Sequence, residues 1–93
     1  MLYKGKVKEI IFCERSVTFS FKIFKIRRIK SDALDNIMKV ITDTWYGCER
    51  VEAIINGKTL QLEIWHKKED VPHAKIDVGI QIVYLERLLN QYI

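Results

Sequence analysis

The dipeptide Asn56-Gly57 sits between two runs whose apolar residues alternate, and it constrains the fold more than any other feature of the chain. Asn-Gly is the strongest short signal for a β-hairpin, because a tight two-residue turn needs positive φ, which both residues tolerate. The spacing predicts antiparallel strands over 49–55 and 58–66. In that register Ala53 faces Leu60, Val51 faces Leu62 and Arg50 faces Glu63. One face then carries Val51, Ala53, Leu60, Leu62 and Ile64. The other carries Glu52, Gln61 and an ordinary Arg50/Glu63 ion pair.

A second hairpin is expected from residues 2–12 and 16–27. Val17, Phe19, Phe21 and Ile23 alternate with Thr18, Ser20 and Lys22, the pattern of a half-buried strand. A turn near Glu14-Arg15 sets Phe12 against Val17 and Ile10 against Phe19. Glu-Arg suits a two-residue turn poorly, which favours a longer loop. The phase slips at Ile23-Phe24, where a bulge would restore it.

Between the hairpins, residues 31–46 read as an amphipathic helix. Ser31 is a good N-cap, and Asp32 and Asp35 suit the positive end of the helix dipole. Leu34, Ile37, Met38, Ile41 and Trp45 form its apolar stripe, and Gly47 stands where a left-handed residue would end it.

Residues 67–73 read as a loop, and the tail supports two readings. Ile76, Val78, Ile80, Ile82 and Tyr84 alternate as in a strand. Val78, Ile82, Leu85, Leu89 and Tyr92 recur as in a helix, and Pro72 suits a helix start. Residues 74–84 are therefore strand or helix, and 85–92 are helix in both cases. The all-helical reading places Ile76, Ile80 and Val83 opposite the main stripe, so that the helix would need cover on both sides.

The elements predict one α+β domain over residues 1–93: a mainly antiparallel sheet built from two hairpins, with an intervening amphipathic helix and a C-terminal helix. A chain of 93 residues buries roughly 60–65% of its unfolded surface, enough for one modest core. No apolar run reaches the roughly 20 residues of a membrane span, and no signal-peptide pattern opens the chain, so a cytoplasmic protein is expected. Cys13 and Cys48 form no CxxC unit and read as free thiols.

Charge is unevenly placed. Residues 1–30 carry nine Lys/Arg against two acids, whereas residues 31–93 carry seven against ten. On the expected first hairpin, Lys4, Lys6, Lys8, Lys25 and Arg27 share a face with Phe21 among them, and Arg28 adjoins it. Cations bind phosphates and aromatics stack on bases, so this set is the candidate nucleic-acid surface. The plainer reading makes the phenylalanines core and the bases a solvated edge that discourages aggregation.

Catalytic and metal chemistry find little support. His66 and His73 lie seven apart across a proline, which is no metal-ligand spacing. Glu52, Glu63 and Asp77 could share a sheet with His66 near its end, but no P-loop, dinucleotide fingerprint or nucleophile elbow occurs. No catalytic residue, metal or cofactor is assigned. Two apolar helices exceed what one small sheet can cover, so Val78, Ile82, Leu85, Leu89 and Tyr92 are expected to form a homodimer interface.

A non-catalytic binding protein follows, with nucleic acid as the leading partner. The alternatives are a protein-interaction module, such as an inhibitor or assembly subunit, and a small metal-dependent hydrolase or nuclease. Small size, a basic N-terminal third and no catalytic signature are similar in type to compact proteins of viruses and mobile elements, a likeness carried by no particular residue.

Overall fold

Four strands form one antiparallel sheet, with the helices packed on one of its faces. The computed structural model describes residues 7–22, 30–45 and 47–92. In chain order the elements are β1 (Val7–Phe12), β2 (Ser16–Lys22), α1 (Ser31–Thr44), β3 (Cys48–Asn56) and β4 (Thr59–His66). A 3-10 turn (Lys68–Asp70), α2 (Val71–Ile76) and α3 (Val78–Tyr92) follow. The strand order is β1-β2-β4-β3, so the two hairpins join through their second strands. The result is the α+β arrangement that the sequence predicts.

Hydrophobic alternation decides which face is covered. Along β4, Leu60, Leu62, Ile64 and His66 are buried while the residues between them are only half-buried. Val17, Phe19 and Phe21 of β2 lie opposite Ile64, Leu62 and Leu60. These side chains form one core with Ile37 and Ile41 of α1 and Leu85, Leu88 and Leu89 of α3. A one-residue slip in either strand would turn this row to solvent, so the core itself holds the register.

In the first hairpin Phe12 pairs with Val17 and Ile10 with Phe19, as expected. The connection is longer than two residues and is closed by the Cys13 amide donating to the Ser16 carbonyl at 2.8 Å. A bulge falls between Val7 and Glu9. The bulge expected at Ile23-Phe24 lies outside the described residues, as do the outer ends of both predicted strands.

The second hairpin keeps its predicted faces but not its predicted partners. Asn56 pairs with Thr59, Ala53 with Leu62 and Val51 with Ile64, two residues away from the expected register. Gly57 has a φ of 60°, and no non-glycine residue among those described has positive φ. Gly57 and Lys58 are therefore the central turn residues, and positive φ at the first of them alone is the type II′ pattern. Asn56 joins the strand instead. A two-residue shift preserves the side-chain faces, which is why the apolar set is unchanged.

Helix α1 begins with Ser31 already helical. Lys30 is the flanking extended residue, and no side chain caps the N-terminus, so the expected Ser31 cap is not formed. At the other end Gly47 takes φ 74°, the left-handed conformation expected there. A Cβ at Gly47 would also come within 2.6 Å of Asp70.

The tail is helical throughout, so 74–84 do not form a strand and 67–73 are not a simple loop. Pro72 lies in the first turn of α2. Asp77 interrupts the dihedrals at φ −88°, ψ 15°, but the hydrogen-bond ladder continues through it. Its amide donates to the His73 carbonyl at 3.2 Å, and its own carbonyl accepts from Gln81 at 3.1 Å. Ala74, Gln81, Leu85, Leu88 and Leu89 turn inward. No described helix is long and apolar enough to cross a membrane.

Candidate interaction face on the helical tail

Three aromatic rings seat the tail on the domain. Trp45, just past α1, stacks near Phe19 of β2 with centroids 6.4 Å apart, and Tyr84 of α3 meets Trp45 edge-on at 5.8 Å. Such contacts fix the rotation of α3 about its axis. The side bearing Val78, Ile82, Leu85 and Leu89 faces the core, and the opposite side faces out.

This orientation takes Leu85 and Leu89 out of the expected dimer interface. Leu85 and Leu89 are fully buried within the chain, and Val78 and Ile82 pack half-buried against the core. The side chain of Tyr92 lies outside the described residues. Leu85 and Leu89 are internal packing and have no area left for a second subunit.

What the tail does expose is Ile76 at 79%, Ile80 at 72% and Val83 at 49% of their full areas. Exposed Arg87 and Asn90 continue this line, and exposed His73 precedes it. The steps from His73 through Asn90 alternate three and four residues, the spacing of a coiled-coil seam. Beside the seam, Gly79, Ile80, Val83, Tyr84 and Arg87 line a depression of about 390 Å³. A smaller hollow of about 180 Å³ lies between Ile80, Tyr84, Gln81, Thr44 and Trp45. Polar groups sit at the two ends: Arg87 at one, and at the other Asp77, whose carboxylate is 3.0 Å from His73.

The candidate nucleic-acid set fares differently. Lys4, Lys6, Lys25, Arg27 and Arg28 lie outside the described residues, and so does the side chain of Lys8, whose backbone falls at the β1 bulge. Phe21 is fully buried, paired between Val7 and Leu60. Its ring belongs to the core and cannot stack on a base, which removes the aromatic member of that set.

The residues weighed for acid–base or metal chemistry are not assembled. Glu52 and Glu63 are cross-strand neighbours on the sheet face away from the helices. Glu52 pairs with Arg50 at 3.5 Å, and Glu63 accepts a hydrogen bond from the Trp65 indole. Arg50 lies 4.3 Å over the Trp65 ring instead of facing Glu63, a consequence of the shifted register. Asp77 stands on the helical side, across the sheet. His66 is buried at the end of β4, where burial holds its imidazole below the ordinary value, opposed by the Asp70 carboxylate and the Gly47 backbone. Burial likewise pushes the neighbouring Cys48 thiol up, offset in part by the Arg50 backbone and the Thr42 hydroxyl. Both cysteines are free. Among the described residues, no three His, Cys, Asp or Glu gather as metal ligands.

Sequence reasoning noted Ile76, Ile80 and Val83 but did not single out Gly79 or Arg87. The signal was present in the four-three-four spacing of Ile76, Ile80, Val83 and Arg87, masked by the stronger core stripe of the same helix. Compared with known proteins, the chain matches no family model, no curated protein and no solved structure at a significant level.

Proposed function

We propose that this chain is a non-catalytic protein-interaction module that docks an amphipathic helix against the outer side of α2 and α3. One observation carries the reading: the helical tail, already seated on the core, presents a second apolar line across α2 and α3, Ile76–Ile80–Val83, to solvent. Seam spacing with an adjoining depression is the form that accepts a helix with its own apolar line at matching intervals. The polar ends bound the line and set the length of the partner's apolar stripe.

A photo-crosslinking residue placed at Ile80 in the full chain tests this directly. It should give a discrete adduct with a helical segment, while the same residue at Lys58 in the exposed turn gives none. Absence of an adduct at both positions would exclude the reading.

A nucleic-acid surface on the basic N-terminal third is the second reading, favoured by nine bases against two acids in residues 1–30. With Phe21 in the core, such a surface works through phosphate contacts. Its affinity for labelled DNA or RNA should fall by orders of magnitude between about 50 and 200 mM salt. No binding at the lower salt would dismiss it.

A further inference from the structure

We infer that the helix docked on this face is α3 of a second copy of the chain, running antiparallel about a two-fold axis between Ile80 and Val83. The inference rests on the helix-docking reading and names its occupant.

Self-complementarity is the argument. A two-fold interface sets residue i against j and j against i. With the axis between Ile80 and Val83, Ile80 of each copy meets Val83 of the other, and Ile76 meets Arg87. The stem of Arg87 then covers the opposing Ile76, and its guanidinium reaches the Asp77 carboxylate beside it. Each copy supplies one basic end and one acidic end, so both ends are matched at once. A parallel arrangement would place Arg87 against Arg87. Within a single chain Arg87 forms no ion pair among the described residues.

Gly79 supplies an independent observation. Glycine is a poor helix former, and this one, in the first turn of α3, takes no positive φ that would require it. A Cβ there would meet nothing within 4 Å, so no contact inside the described chain requires the small residue. A second helix at the seam does, because the missing side chain lets two backbones approach, and Tyr84 of the opposing copy comes level with the gap. The depression lined by Gly79, Ile80, Val83, Tyr84 and Arg87 then receives the opposing Val83.

Sedimentation equilibrium of the purified full chain, with circular dichroism as the check on folding, tests the pairing. The wild type should sediment as twice 11.0 kDa at sufficient concentration. Ile80→Lys should weaken association by about a hundredfold or more, because the pairing buries its charge without a partner, and leave the spectrum unchanged. Arg87→Asp should weaken it about tenfold, and Arg87→Asp with Asp77→Arg should recover most of that loss. Should Asp77→Arg disturb the helix junction, Arg87→Asp with Asp77→Asn serves instead, relieving only the new repulsion. A dimer indifferent to Ile80→Lys would overturn the inference, and so would a dimer whose charge variants show no coupling. A monomer at all concentrations would also overturn it: with a foreign adduct at Ile80, helix docking survives; with no adduct, both fail.

Discussion

Individual residues here answer to two constraints at once. Gly47 must be glycine twice over, for its left-handed φ and for the approach of Asp70. Only the first of these could be read from the sequence, since the second depends on a turn that folds back from beyond β4. Lys67 makes that return with its amide donating to the Gly47 carbonyl at 2.9 Å. His66 was singled out from the sequence for its chemistry, yet the structure uses it as buried packing beside this junction. Its folded pKa lies below the ordinary value, chiefly through burial. The unfolded chain therefore takes up a proton before the folded one does. Stability contributed by the neutral ring is whole above about pH 6.5 and falls as pH drops through that value toward the folded pKa. The slope should not exceed about 1.4 kcal/mol per pH unit for this single group. Denaturant titrations between pH 8 and 5 should show the decline in the wild type and a smaller one in His66→Gln. Equal declines would assign the acid sensitivity to other groups.

At the scale of elements, legibility followed how many structures each local pattern permits. The stripe of α1 admits one period, and the helix appears where expected, displaced only at its cap. In the second hairpin Asn56-Gly57 correctly marks the turn, but a glycine with positive φ serves equally as the second residue of one turn type or the first of another. Face assignment survives that ambiguity and cross-strand pairing does not, which moved Arg50 from Glu63 to Trp65. The tail was least legible, because Ile76, Val78, Ile80 and Ile82 satisfy the strand period while Val78, Ile82, Leu85 and Leu89 satisfy the helical one. Sheet packing decides between them: the inner face needs a helical layer, and α3 supplies Leu85, Leu88 and Leu89 to it. Gly79 offers the test at this scale. Gly79→Ala should stabilise the isolated chain by up to about 1 kcal/mol through helix propensity alone. The same change should weaken self-association, because the added methyl fills the space between two backbones. A variant that gains stability and associates as well as the wild type would show that nothing approaches Gly79.

For the molecule as a whole, the helical tail leaves apolar surface exposed at Ile76, Ile80 and Val83. Leu85 and Leu89 of the stripe expected to join subunits lie inside the chain, and the exposed line is on the reverse of the helical tail. Among the described residues, the sheet and its one helical layer offer no third layer to cover that line, and a second copy supplies it in the proposed assembly. Two-fold pairing would also place two basic N-terminal thirds in one particle, so the dimer and the nucleic-acid reading are compatible. An isotope-filtered NOE experiment decides the assembly most directly, on a sample mixing labelled and unlabelled chains. Antiparallel docking predicts intermolecular contacts between the Ile80 and Val83 methyl groups. Absence of such contacts at concentrations where the chain sediments as a dimer, or contacts joining Ile80 to Ile80 alone, would contradict it.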